Sequence, residues 1–421
     1  MGERTVSQTK RSRTPSRMPA WWQGTDGVLI FAVAALLLWG LVMVYSTTPP
    51  FLRNFGVPDA NGKIDTLALF RRQAAFVALG VGIAAVLAAV DYRRWQRLAP
   101  LVLLVVWGGL FLTLVMKHVA GGTGRFLFGG SYQPSEIAKV ATVFYLAVWL
   151  SRRKTRLGSW RDGAMPLAVL VGVTAALVLV EPDMSAAMTI FALGMILYFL
   201  AGGSIRQLVL FSLAALLAGG VLLLLYPVGA ERMSSFLAGL RDPHRASYQI
   251  RLAIAAISRG GWLGVGPGQS EIKLRGLPLA HTDSVFAVVA EEYGVIGATM
   301  MVVLFGIVVW RGIRIALEAP DEYGRLLAGG LAVWLGIEAY MNMAMMLGLL
   351  PLAGNTLPFI SYGGSSLVTA LSAIGLILSV GRASAREQSQ ERSDTGAVVS
   401  LRRGDRRRRV SRAVGASSLR R

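Results

Sequence analysis

Cysteine is absent from all 421 residues, so neither disulfides nor thiol chemistry is open to this chain. Histidine occurs three times and never among clustered ligands, which argues against a structural zinc site. Acids are scarce, with 23 Asp and Glu against 43 Lys and Arg and a formal net charge of +20. The short alternating segments of a transmembrane β-barrel do not dominate. No cleavable signal peptide is expected, because the first apolar run begins only near Gly27, is long enough to span, and precedes no convincing small-residue cleavage site. The one glycine-rich stretch, GWLGVGPGQSEIK (261–273), is not a P-loop, since no Gly-Lys-Ser/Thr follows it and no strand precedes it.

What is abundant is apolar sequence. Hydrophobic residues make up 54% of the chain and its mean hydropathy is +0.55, above the usage of soluble domains. Several runs reach the roughly 20 residues a helix needs to cross a bilayer. The pattern predicts an all-α polytopic membrane protein of ten spans, near 27–47, 73–91, 98–117, 136–151, 166–181, 184–201, 207–226, 284–310, 325–349 and 363–381. Three parts follow: a basic, disordered tail over 1–24, a membrane domain over 25–381, and an Arg-rich, disordered tail over 382–421.

The positive charge sets orientation. Arg93, Arg94 and Arg97, then Arg152, Arg153, Lys154, Arg156 and Arg161, then Arg311, Arg314 and Arg325 crowd the even-numbered loops. The loops at EPD and PLAGNTLPFIS carry none. The positive-inside rule therefore predicts cytoplasmic termini, with the odd loops outside. The basic tails read as topology signals and contacts to membrane lipids, not as nucleic-acid binding, for which no folded reader motif is present.

On this topology the unusual polar residues gather at the outer face. The segment 227–283 becomes a long extracytoplasmic loop, and long loops of this kind are usually functional. Within it, SYQIRLAIAAISRGGWLG spaces Ile250, Ile254 and Ile257 as a helix with Arg251 and Arg259 interleaved. That helix either lies on the outer leaflet or is an ordinary buried loop helix.

Five stretches could carry chemistry. In SYQPSEIAK (131–139), Glu136 and Lys139 lie one turn apart on one helix face, either neutralising each other near lipid or facing a watery cavity. In VEPDMSAAM (180–188), Asp183 fits a helix N-cap. In PLAHTDSVFAVVAEE (278–292), Asp283 is either an N-cap or a partly desolvated general base, with His281 beside it. Glu291 and Glu292 lie about 12 Å deeper at 1.5 Å per residue, where a cap cannot explain them. In 261–273, backbone N–H groups with Lys273 or Arg275 could bind a lipid phosphate. In LPFISYGGSS (357–366), Pro358 and Gly363-Gly364 break the chain at membrane depth, which is tolerated where backbone lines a cavity. Composition and spacing together describe an outward cavity for an anionic, lipid-anchored substrate. They do not separate an enzyme from a transporter.

FGGSYQPSEIAK, EPDMSAAM, GVGPGQSEIKLRGLPLAHTDSVFAVVAEEYGVIG and LPFISYGGSSL, in this order over roughly 27–381, resemble the SEDS family (shape, elongation, division and sporulation). The stretch around GVGPGQSEIKL and LPLAHTD looks more like its FtsW-type division branch than its RodA-type elongation branch. The resemblance implies a peptidoglycan glycosyltransferase that joins lipid II through β-1,4 bonds and releases undecaprenyl diphosphate. It would act outside the bacterial cytoplasmic membrane, at the division septum, with a class B penicillin-binding protein and other divisome proteins. It implies Asp283 as the essential carboxylate, and Arg125, Glu136, Lys139 and Asp183 as polar cavity residues, with Lys273 and Ser365 added as substrate-binding residues. By charge, Arg125 and Lys139 would hold the diphosphate. No cofactor is firmly implied; a divalent cation (Mg or Mn) held with the help of Asp183 is the one to test. Departures are mild: Tyr132, Met184-Ser185 and Ser284-Val285 replace commoner family residues. A lipid II flippase and a non-catalytic division scaffold are the competing readings.

Overall fold

The computed structural model describes residues 25–55, 65, 67–120, 133–153, 157–181, 183–225 and 227–416. The tail 1–24 and Arg125 lie outside them. Every regular element among the described residues is helical.

Ten helices match the ten predicted spans. They are α1 (Gly27–Phe55), α2 (Ala68–Ala89), α4 (Ala99–Ala120), α5 (Pro134–Ser151), α6 (Met165–Val180), α7 (Met184–Leu200), α8 (Ile205–Leu225), α11 (Val285–Leu317), α12 (Glu322–Met346) and α13 (Gly364–Ala416). Three more are short or lie in loops: α3 (Tyr92–Trp95), α9 (Pro227–Arg241) and α10 (Tyr248–Gly260). Seven segments are long and apolar enough to cross a membrane by themselves, while α7 and α8 are shorter apolar helices. Helix α5 carries Glu136 and Lys139 in its 18 residues, and it survives near lipid because both charges are paired inside the protein.

The body Asp26–Ser384 is one compact unit. Helix α12 is its centre, packing against α11, α5, α7 and α10. Its most apolar stretch is 72% buried, against 11% for α2 at the periphery. A helix so enclosed can carry polar residues that a lipid-facing helix cannot. That is where Glu338 and Asn342 sit.

The long segment after α8 is largely helical. Helix α10 forms from the predicted Ile-rich stretch, with Ser247 at its N-cap. It buries Ile250, Ala253, Ala256 and Gly260 and packs on α11 and α12, while Arg251 and Arg259 stay exposed. Its apolar face therefore meets protein. Beyond it, α11 breaks at Gly294, whose backbone is φ 66°, ψ −166°. The glycine-rich stretch runs alongside this break. Val265 N–H donates to Glu291 O at 2.9 Å, Gly266 N–H to Glu292 O at 3.1 Å, and Val295 N–H to Gly261 O at 2.9 Å. The Val265 and Gly266 amides are thus spent on α11, which leaves the phosphate-cradle reading without these two donors.

The stretch from residue 382 differs from expectation. It is helical through Ala416 as the continuation of α13. Polar composition suggested an irregular chain, yet Arg, Ala, Glu and Gln are good helix formers and no proline follows Pro358.

Candidate active site

The loop before α11 is held from outside itself. Three consecutive carbonyls each accept a hydrogen bond. Tyr362 N–H donates to His281 O at 2.8 Å, the Ser361 hydroxyl to Thr282 O at 2.6 Å, and the Asn342 amide to Asp283 O at 2.9 Å. Ser284, not Asp283, occupies the N-cap position of α11, and its hydroxyl donates to Pro278 O at 2.9 Å. Asp283 therefore reaches the surface from a fixed backbone and is only partly buried. Gly354 lies beside it: a Cβ there would sit 3.3 Å from the Asp283 Oδ2 atom. His281 is buried, and desolvation pushes its imidazole down to about 4, so it is neutral at pH 7.

Beneath the loop lies a buried ionic network. Asn342 donates a second time, to Asn355 O at 2.6 Å, and the Asn355 side chain reaches Glu338 Oε2 at 3.4 Å. Glu338 Oε1 accepts from Lys139 at 2.9 Å, and Glu136 Oε1 accepts from the same ammonium at 3.0 Å. Lys139 is 1% exposed, and the Trp334 ring lies 6.0 Å from its Nζ. The sequence pair Glu136–Lys139 is thus real, but a third member, Glu338, comes from 199 residues away.

Asp183 is the N-cap of α7, as its position suggested, and a hub as well. Oδ1 accepts from Ala186 N–H at 3.1 Å and from Ser185 at 2.9 Å. Oδ2 accepts from Ser135 at 2.9 Å and from Gln133 at 3.0 Å. Four donors leave this carboxylate poorly placed to ligate a cation. Among the described residues no group of three or more His, Asp or Glu is arranged to hold a metal. Among the described residues, Asp183 and its neighbours do not form a donor set that fits the divalent cation. Ser365 enters the network's edge, its Oγ accepting from Gln133 N–H at 3.3 Å.

Lys273 belongs elsewhere. Its three ammonium hydrogens go to Glu292 at 2.6 Å, Ser46 at 2.8 Å and Gly268 O at 2.8 Å. Glu291 receives Ser270 and the backbone N–H of Glu271 at 3.1 Å. This second cluster ties the glycine-rich stretch to α11 and α1. It accounts for the two deep acids that a helix cap could not.

Sequence reasoning missed Glu338 and Asn342. The signal was available, since both are polar residues inside the ninth apolar run, and ionisable groups there call for a partner or a function.

The sequence pattern of the FtsW/RodA/SpoVE family of cell cycle proteins matches residues 27–386. The chain belongs to this family. Among its relatives, a protein of Geobacter sp. (strain M18) named "Probable peptidoglycan glycosyltransferase FtsW" is 36% identical over 85% of this chain and 97% of its own length. "Stage V sporulation protein E" of Bacillus subtilis (strain 168) is 35% identical over 85% of this chain and 97% of its own. A solved chain described under "Structural coordination of polymerization and crosslinking by a peptidoglycan synthase complex" superposes with a TM-score of 0.67 at 30% identity, covering 86% of this chain and 99% of that one. The rod shape determining protein RodA of Thermus thermophilus superposes with a TM-score of 0.59 at 27% identity, covering 86% and 98%. These two solved chains thus share this arrangement of helices along nearly their whole length.

Proposed function

We propose that this FtsW/RodA/SpoVE-family protein is a peptidoglycan glycosyltransferase that polymerises lipid II into β-1,4-linked strands on the outer face of the bacterial cytoplasmic membrane. The observation that carries the reading is the grip of Asn342 on the backbone of Asp283. It sets one partly exposed carboxylate at the end of the bundle where α5, α7, α11 and α13 begin. Family membership and the named relatives supply the substrate class.

In this mechanism the acceptor GlcNAc 4-hydroxyl meets the Asp283 carboxylate, which takes its proton as the oxygen attacks C1 of the growing chain's terminal MurNAc. The new C1–O bond forms as the bond to the lipid diphosphate breaks, and undecaprenyl diphosphate leaves with the electron pair. Cations must meet the charge that develops there. By charge these are Arg125 and Lys139. Lys139 is already bonded to Glu136 and Glu338, so a diphosphate reaching it would replace one of those carboxylates. Asp183 and Ser365 order the entry of α5 against α7 and α13. Lys273, saturated inside its own cluster, is assigned to holding the loop.

The FtsW-type likeness further suggests septal synthesis beside a class B penicillin-binding protein. The positive-inside pattern supports cytoplasmic termini. The test is glycan formation from labelled lipid II by the purified protein, with and without the co-purified transpeptidase. Chains establish the transferase. Transbilayer movement of lipid II without chains would establish a flippase instead. Normal chains together with division defects only on tail deletion would add a scaffolding role.

A further inference from the structure

The loop carrying Asp283 is not fastened by its own helix. Ser284 holds the N-cap position without bonding a backbone N–H of α11 through its side chain. Its own turn contributes, with Leu279 O accepting from Thr282 N–H and Ser284 N–H, and so does Gln249 of α10, which donates to the Ser284 hydroxyl at 2.8 Å; the carbonyls of Thr282 and Asp283 are held by two distant elements. Helix α12 supplies Asn342, fully buried, whose amide donates to both Asp283 O and Asn355 O while its Oδ1 has no hydrogen-bond partner. The 355–362 segment supplies Ser361, whose hydroxyl donates to Thr282 O at 2.6 Å and accepts from Leu357 N–H at 2.8 Å. Ser361 is itself held, because buried Gln73 on α2 donates to Ser361 O at 3.1 Å.

A helix optimised for packing alone would place an apolar residue at position 342. A fully buried amide costs free energy unless hydrogen bonds compensate it, so its donors must be spent on specific partners. Here both hydrogens are spent on backbone carbonyls, one of them the carbonyl of Asp283. Reacting groups tolerate displacements of only about half an ångström before rate is lost, and the residues that fix them act through geometry.

We propose that Asn342 and Ser361 are positioning residues for glycosyl transfer: they clamp consecutive carbonyls of the 281–283 loop and so aim the Asp283 carboxylate at the acceptor hydroxyl. Both side chains are buried and bonded to backbone, so they act through the loop. The inference rests on reading Asp283 as the base. It goes further by making the aim of the base depend on a helix and a segment contributed from elsewhere in the chain.

The test uses the full chain co-purified with its transpeptidase, labelled lipid II as substrate, and four variants: Asn342→Leu, Ser361→Ala, Ser361→Thr and Asp283→Asn. Asn342→Leu and Ser361→Ala are expected to lower kcat at least ten-fold, with KM for lipid II within two-fold of wild type; Ser361→Ala, which leaves Thr282 O and Leu357 N–H unpaired, is expected to unfold at a lower temperature but to remain folded under assay conditions. Ser361→Thr, which keeps the hydroxyl, is expected to recover most of the lost kcat. Should Asn342→Leu fail to fold, the Ser361 pair carries the comparison. Unchanged kcat in folded Ser361→Ala, or equal losses in Ser361→Ala and Ser361→Thr, would overturn the positioning role. Asp283→Asn separates the two levels. Full activity in that variant removes the base itself, whereas an inactive Asp283→Asn beside a fully active Ser361→Ala removes only the clamp.

Discussion

Lys139 sits between Glu136 and Glu338, its ammonium 3.0 Å from one carboxylate and 2.9 Å from the other. All three groups are buried. One cation therefore compensates two acids from different helices, and it joins α5 to α12 at the level of the candidate site.

Removing the cation should be far worse than removing either acid. Lys139→Met leaves two buried carboxylates facing each other, and breaking a buried ion pair by deleting one partner costs about 3–5 kcal/mol. Glu338→Gln leaves the Glu136 pair intact and should cost less than half of that. Thermal unfolding of the two variants in detergent checks the order.

The Lys273–Glu292 pair predicts a different pattern. Lys273→Met should destabilise by about 3 kcal/mol through the uncompensated Glu292 carboxylate. Lys273→Met combined with Glu292→Gln should regain much of it. If Lys273 serves only the loop, the double variant keeps the lipid II KM of wild type. A large rise in KM in the double variant would return Lys273 to the substrate.

Gly294→Ala should weaken the junction of α11 with the glycine-rich stretch. The φ of 66° disfavours any side chain, and a Cβ would meet Trp262 O at 2.4 Å. Strained backbone of this kind costs about 1–3 kcal/mol before the clash is counted. Hydrogen exchange across 261–268 should rise in this variant while α13 stays protected.

His281 predicts a pH dependence of stability. Its folded value of about 4 lies below the ordinary 6.5, and burial is the cause. The unfolded chain takes up a proton that the native loop refuses. The contribution is fully present above pH 6.5 and is lost as pH falls toward 4. Thermal unfolding between pH 7.5 and 5 should therefore show a downward slope that is shallower in His281→Phe.

The spans were legible because a helix crossing lipid must carry about 20 apolar residues, and this constraint acts locally. Helix α10 was legible from its spacing, as was the Glu136–Lys139 pair one turn apart. Glu338 was not read as their partner because nothing local ties position 338 to position 139. Nearness to the glycines makes Lys273 or Arg275 a candidate phosphate ligand from sequence. In the structure the Lys273 ammonium meets Glu292, 19 residues on, past the start of α11. The acids at 291 and 292 made sense only once the packing of 261–273 against α11 was known. Beyond residue 382 low hydrophobicity points to an irregular chain while helix propensity points to a helix, and the structure follows the propensity.

As the base of a lipid II polymerase, Asp283 is required for chain growth but not for folding or lipid II binding. The most direct test compares wild type with Asp283→Asn, each co-purified with the transpeptidase, measuring glycan chain formation and lipid II binding on the same preparations. Chains are expected from wild type and none from the variant, with folding and lipid II binding retained. Chains formed by Asp283→Asn at the wild-type rate would contradict the role of Asp283 as base.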